Sequence, residues 1–301
     1  MFKIHRIKTS LWYNYIKEKP FHKEGKLFSK VKLKLDIDRK EIGYNSGSLF
    51  QGFLMEKIET EYASALHNFK TNPYSQYINR TKDGTYWNIS ATNREAYEKI
   101  IIKVLELDEI IIEDKDLKIK ILDKSLNTIK REDFIEKNLF ENIDSKEIDF
   151  DFLTPTAFKK NNRYAIVPDP ALIFQNLIRK FDSSGEEEIF SYDLLNEINN
   201  SVYISRYNLR SRLFYLEKTK IPGFMGSLTM RVETNKEILN ILRLLNSFSE
   251  FSGTGIKSSM GMGGTISGGE KLGWKKNKTY NWHDAWWIKR SFAYIRGRER
   301  Y

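Results

Sequence analysis

The sequence predicts an α+β protein built from two tandem ferredoxin-like (RRM-like, βαββαβ) domains followed by a basic, tryptophan-rich C-terminal tail. Period-two apolar runs alternate with amphipathic stretches, the run of elements recurs, and a charged stretch at about 130–146 parts the two sets. Val31-Lys-Leu-Lys-Leu-Asp-Ile37 reads as a strand with Val31, Leu33, Leu35 and Ile37 on one face. A helix over about 48–64 follows. Strands at 76–79 and 85–89 come next, joined through Asp83-Gly84, a pair suited to a tight hairpin. Thr92-Asn-Arg-Glu95 has capping-box spacing and opens a helix to about Glu106. Strands at 110–112 and 117–122 complete the order β-α-β-β-α-β, which is the ferredoxin-like one. The second set reads as strand at 147–158, helix at 169–181, a long hairpin at 202–216, strand at 227–233 and helix at 236–248. The expected division is an unassigned N-terminal extension 1–28, a domain 29–145, a second domain 146–273 and a tail 274–301.

Composition narrows the function classes. The 301 residues are 40% hydrophobic, enough for two cores. Fifty Lys and Arg oppose 40 Asp and Glu, and a net charge of +10 favours a polyanionic partner. With no cysteine, disulfides, thiol nucleophiles and thiolate metal sites are excluded. No run approaches the roughly 18 apolar residues of a membrane span, and the N-terminus lacks a signal peptide's apolar core, so a cytoplasmic protein without membrane partners is expected. The carboxylate pairs Asp36/Asp38 and Asp149/Asp151 invite a metal reading, but strand alternation accounts for them, and no metal or cofactor is expected. Four of the six tryptophans fall in the tail, which carries eight basic residues. Its spacing suits a packing helix somewhat better than base stacking.

The most informative segment is Phe251-Ser-Gly-Thr-Gly-Ile-Lys-Ser-Ser-Met-Gly-Met-Gly263, where Gly-x-Gly steps flank five residues. Such a loop brings main-chain N–H groups close to an anion. Lys257, Ser258 and Ser259 add a charge and two hydroxyls to Gly253, Gly255, Gly261 and Gly263 as candidate phosphate-backbone-binding residues. A nucleotide P-loop is excluded because Ile256 precedes Lys257. The dinucleotide fingerprint fails because Ser258 and Ile266 occupy the third glycine positions.

With that loop and its ordered companions, the chain resembles the CRISPR repeat-processing endoribonucleases of the RAMP superfamily. The companions are Leu153-Thr-Pro-Thr-Ala-Phe158, Val167-Pro-Asp-Pro-Ala-Leu-Ile-Phe174, Ile221-Pro-Gly-Phe-Met-Gly-Ser-Leu228, Gly47-Ser-Leu-Phe-Gln-Gly-Phe-Leu54 and Ala65-Leu-His67. Thr254 departs from the apolar residue usual at its position. The resemblance implies a metal-independent cut within the repeats of precursor CRISPR RNA, by attack of the RNA's own 2'-hydroxyl. The ends would be a 2',3'-cyclic phosphate and a 5'-hydroxyl. It also implies CRISPR repeat RNA as partner, and leaves other CRISPR effector subunits and a homodimer open. The alternative is a non-catalytic RAMP subunit that binds guide RNA in an effector complex.

Such a cut needs alignment, two proton transfers and charge stabilisation. Histidine suits either proton role, and the resemblance selects His67 among His5, His22, His67 and His283, with Lys70 to steady the phosphoryl oxygens. Met55 stands at the family's tyrosine position, which leaves Tyr44 or Tyr62 as substitutes. For substrate grip, Arg206, Arg210 and Arg212 share one strand face if the segment alternates, equally readable as an ordinary charged surface.

Overall fold

The structure, a computed structural model, describes residues 26–37, 42–140, 143–185, 192–216 and 219–268. The tail 274–301 and the histidines His5, His22 and His283 lie outside the described residues.

In the first half, β1 (Leu27–Asp36) leads through a 3-10 turn (Tyr44–Ser46) to α1 (Gly47–Lys57) and α2 (Thr60–Asn68). Strands β2 (Tyr74–Thr81) and β3 (Gly84–Ala91) precede a helical segment α3, made of Arg94–Ala96, a π-helical turn Tyr97–Ile101 and Ile102–Glu106. β4 (Glu109–Ile112) and β5 (Leu117–Lys130) complete an antiparallel sheet of order β2-β3-β1-β5-β4. The apolar alternation of β1 does what the sequence suggests, with Val31, Leu33 and Leu35 buried. The strand starts earlier, at Leu27, inside the segment left unassigned. The single helix expected at 48–64 is two, broken at Ile58-Glu59. The cap of α3 is Asn93, whose side chain accepts from the Ala96 N–H, while the Thr92 hydroxyl donates to the Pro73 carbonyl.

The second half runs α4 (Arg131–Phe140), β6 (Glu147–Thr156), the small hairpin β7 (Phe158–Lys160) and β8 (Arg163–Ala165), α5 (Pro170–Ser183) and α6 (Tyr192–Ser201). Then come β9 (Val202–Leu216), β10 (Thr219–Val232), α7 (Lys236–Ser252), a 3-10 turn (Ser258–Met260) and β11 (Thr265–Ser267). Its sheet order is β11-β6-β10-β9. The segment 202–216 is not a hairpin in itself but one arm of one, paired along its length with β10. Alternation cannot separate a long strand from two short ones when the turn lies beyond it.

Helix α7 ties the halves together. Phe248 and Phe251 pack the second core, yet both also meet Phe28 of β1, with ring centroids 5.1 and 5.7 Å apart. Phe28 and Leu27 are neighbours on a strand, so they face opposite ways, Leu27 into the first core and Phe28 into the second. Phe134 of α4 joins the same aromatic cluster, so α4 packs with the second half although the charged stretch suggested a linker. A helix buried on both sides must satisfy its polar groups, and Asn240, Arg243 and Asn246 donate to the backbone carbonyls of Leu139, Ile143 and Asp149.

Candidate RNA-processing site

The glycine loop leaves α7 at Gly253 (φ +63°) and lies wedged between the halves, with only its central turn reaching solvent. On one side it is laced to the end of β6: Ile256 N–H donates to Ala157, Gly263 N–H to Pro155 and Gly264 N–H to the Thr154 hydroxyl. Gly255 N–H donates to the Asn176 side chain on α5. These donors are committed within the protein. The glycines of the loop therefore serve close packing first. A Cβ on Gly261, at φ +107°, would sit 2.8 Å from the Gly47 Cα, a gap only two facing glycines leave. Thr254, the departure from the apolar pattern, is buried and accepts a 2.9 Å hydrogen bond from the Thr265 hydroxyl, so its polarity is satisfied.

On the other side the loop meets the first half. The Gln76 amide donates to the Gly47 carbonyl (2.8 Å) and the Ser259 carbonyl (3.1 Å), and accepts from the Trp87 indole (2.9 Å). Ser75 donates to Phe251 O, and Asn72 Nδ2 donates to the Ser259 hydroxyl at 3.2 Å. Tyr74 hydrogen-bonds Gln51 and Ser259, while burial pushes its phenol up to about 12. Beneath the turn, Lys180 of α5 donates to the carbonyls of Ser252 and Gly253 and to the Ser258 hydroxyl, each at 3.0 Å. Burial pushes this amine down to about 7, with Arg179 acting in the same direction.

What faces solvent is compact. Lys257 is exposed and held at φ +55°, unusual for a residue with a side chain, and Ser258 is half-buried beside it. His67 is exposed in the last turn of α2, and the exposed Lys70 follows on the connection that reaches Asn72 and the loop. Tyr44 is half-buried in the cluster that includes Met262 of the loop, so it too belongs to the seam. Tyr62 does not: it is 4% exposed in the first core, its hydroxyl has no hydrogen-bond partner among the described residues, and burial drives its phenol above the usual range. The alternative of Tyr62 as proton acceptor is corrected on that ground.

Arg206, Arg210 and Arg212 are all exposed on β9 and share its parity. They are not equivalent. Arg206 forms a two-pronged pair with Glu147, at 2.8 and 3.4 Å, which offsets its charge. Tyr207, 72% exposed, lies between the first two arginines, and Tyr203 and Tyr215 are also exposed on this edge strand.

The residues that join the halves were missed from the sequence. Asn72 and Gln76 look like ordinary strand-edge polars. Lys180 carried a signal, since it falls in register with Ile173, Leu177 and Ser184 on the buried face of α5, where a lysine is out of place.

Two antiparallel sheets joined through a buried helix, with a basic seam at their junction, define a two-part α+β protein whose exposed chemistry suits a polyanion. A profile of the CRISPR-associated endoribonuclease Cas6 family matches residues 150–265. A Cas6 endoribonuclease of Streptococcus thermophilus is 31% identical over 221 residues, 71% of this chain and 88% of that protein. One from Mycobacterium tuberculosis is 33% identical over 220 residues, 72% and 70% of the two chains. The chain belongs to the Cas6 family of CRISPR-associated endoribonucleases. A Cas6 product complex superposes with a TM-score of 0.66 at 22% identity, covering 80% of this chain and 99% of the other. Thermus thermophilus Cas6 gives 0.63 at 20% identity, with 81% and 99% covered. At such identities these two report the shared fold.

Proposed function

We propose that this chain is a metal-independent endoribonuclease that cuts precursor CRISPR RNA within its repeats by 2'-hydroxyl attack, leaving a 2',3'-cyclic phosphate and a 5'-hydroxyl. The observation that carries the reading is the Asn72–Ser259 hydrogen bond, which fastens the segment bearing His67 and Lys70 to the one turn of the glycine loop that reaches solvent. Capture of a solved Cas6 relative with its product supports an RNA ligand for the same fold.

In this reading His67 moves a proton at the scissile linkage, a role to which an imidazole is suited. Lys70 steadies charge on the phosphoryl oxygens. Tyr44 is the remaining tyrosine candidate for the second proton. Lys257 and Ser258 grip the RNA backbone, while Ser259, expected from the sequence to join them, is buried and bonded to Asn72 and Gln76 and so holds the turn in place, with Gly253, Gly255, Gly261 and Gly263 shaping it. Arg206, Arg210 and Arg212 extend the grip along β9. The sheet orders support two ferredoxin-like units, the first with β4 as an added edge strand, with α4 grouped by its packing with the second.

The test is cleavage of the protein's own repeat RNA in EDTA by wild type and His67→Ala. Wild type should cut. The variant should bind normally and cut about 10²-fold to 10⁴-fold more slowly. Tight binding without cutting by wild type would favour the non-catalytic guide-RNA subunit, and loss of wild-type cutting in EDTA would remove the metal-independent chemistry.

A further inference from the structure

We propose that Lys180 is a positioning residue for RNA cleavage, holding the solvent-facing turn of the glycine loop in register with the segment that carries His67. The inference rests on the catalytic reading of that seam.

Lys180 is half-buried, and the acceptors of its amine are two carbonyls and a hydroxyl, all at 3.0 Å. The carbonyls of Ser252 and Gly253 end α7, where the helix dipole favours a cation. The hydroxyl belongs to Ser258, the first residue of the 3-10 turn that follows the exposed Lys257. One side chain thus staples a rigid helix end to a loop that leaves it through a left-handed glycine. The next residue, Ser259, takes hydrogen bonds from both Asn72 and Gln76 of the first half. Asn72 lies two residues beyond Lys70 and five beyond His67. The path from Lys180 to the segment that bears the reacting groups therefore runs through two hydrogen bonds, Lys180–Ser258 and Asn72–Ser259, and a few residues of chain.

Packing alone does not call for this lysine. Burying an amine among neutral oxygens costs desolvation that a methionine of similar length would avoid. What methionine cannot supply is N–H donors that fix helix end and turn together. Because the amine is engaged by these three acceptors, it acts through Ser258 and not on the RNA.

The experiment uses full-length protein and its own repeat RNA under single-turnover conditions, with binding read on the 2'-deoxy substrate. Lys180→Met should cut at least about tenfold more slowly, while its Kd stays within about threefold of wild type. Asn72→Ala should also slow cutting, and the double variant should be no slower than the worse single one, since both act through the same turn. Wild-type cutting by Lys180→Met, a parallel loss of binding, or additive losses in the double variant would overturn the inference. Should Lys180→Met fail to fold by circular dichroism, Ser258→Ala decides: it should slow cutting by at least about threefold, and an unchanged rate overturns the idea. Normal cutting by Lys180→Met beside an inactive His67→Ala removes only this inference. Cutting by His67→Ala removes the reading beneath it.

Discussion

Gly47→Ala tests the seam by the sign of its effect. Gly47 is the first residue of α1 and has ordinary right-handed helical dihedrals, with φ −55°. On an isolated helix alanine would be preferred, by at most about 1 kcal/mol. In this protein a Cβ at position 47 overlaps the Met260 carbonyl oxygen and comes within 2.8 Å of the Gly261 Cα. Both are backbone, so no rotamer change relieves the clash. Forcing a methyl into a packed junction costs roughly 1–3 kcal/mol. With that helix gain subtracted, the expected net loss is up to about 2 kcal/mol, or a fall of up to about 6 °C in Tm. Relief requires the 260–261 backbone to move away from α1, which pulls Ser259 from Gln76 and Asn72, so cleavage should slow while circular dichroism stays native. Urea denaturation and single-turnover cleavage measure the two effects. A variant that is more stable than wild type and fully active would show that the helix and the loop do not touch.

Gln76→Ala leaves the Trp87 indole N–H without its buried acceptor and frees the carbonyls of Gly47 and Ser259, so denaturation should show a loss of about 1–3 kcal/mol or more. Arg210→Ala and Arg212→Ala should each weaken RNA binding and lower the slope of log K against log salt by about 0.7–0.9; an unchanged slope would mean that β9 does not face the phosphates. Arg206→Ala should have a smaller effect because Glu147 already offsets its charge. Lys180 yields a pH prediction. Its folded pKa, about 7, lies below the ordinary value of 10.5, so between those limits the unfolded chain holds more protons. Wild-type stability should therefore gain on that of Lys180→Met as pH rises from 7 to 10.5, by at most about 1.4 kcal/mol per unit. A difference flat across that window would place the amine in a more polar setting.

Much of the fold was legible because strands and helices write their period into the chain. Val31, Leu33 and Leu35 alternate and are buried, and the apolar face of 236–248 marks α7. Boundaries were less legible. Nothing in period-two spacing says that 202–216 is one strand and not two, and a sequence cannot show that the Thr92 hydroxyl turns to Pro73 while Asn93 caps the helix. The site was half legible. Clustered glycines announced a special loop, because glycine is costly unless backbone must approach something closely. What it approaches, the Gly47 end of α1 and the ring of Tyr77, is a property of tertiary contact. Residues such as Asn72, Gln76 and Asn176 gain meaning only once distant segments meet. Tyr62 shows the converse: a plausible proton carrier by position in the chain, it is walled into the first core by the faces of two helical segments.

Phe28 has a bearing on how this chain can be taken apart. Its ring fills space between Phe134, Phe181, Phe248 and Phe251, although the strand that carries it is hydrogen-bonded into the opposite sheet. A fragment beginning near residue 146 would lack that plug and expose an oily socket, and the complementary fragment would present a bare ring on its outer surface. Each piece would carry the other's missing part. Co-expression of the severed fragments is then the natural route to a working assembly, with neither expected to behave as an autonomous domain.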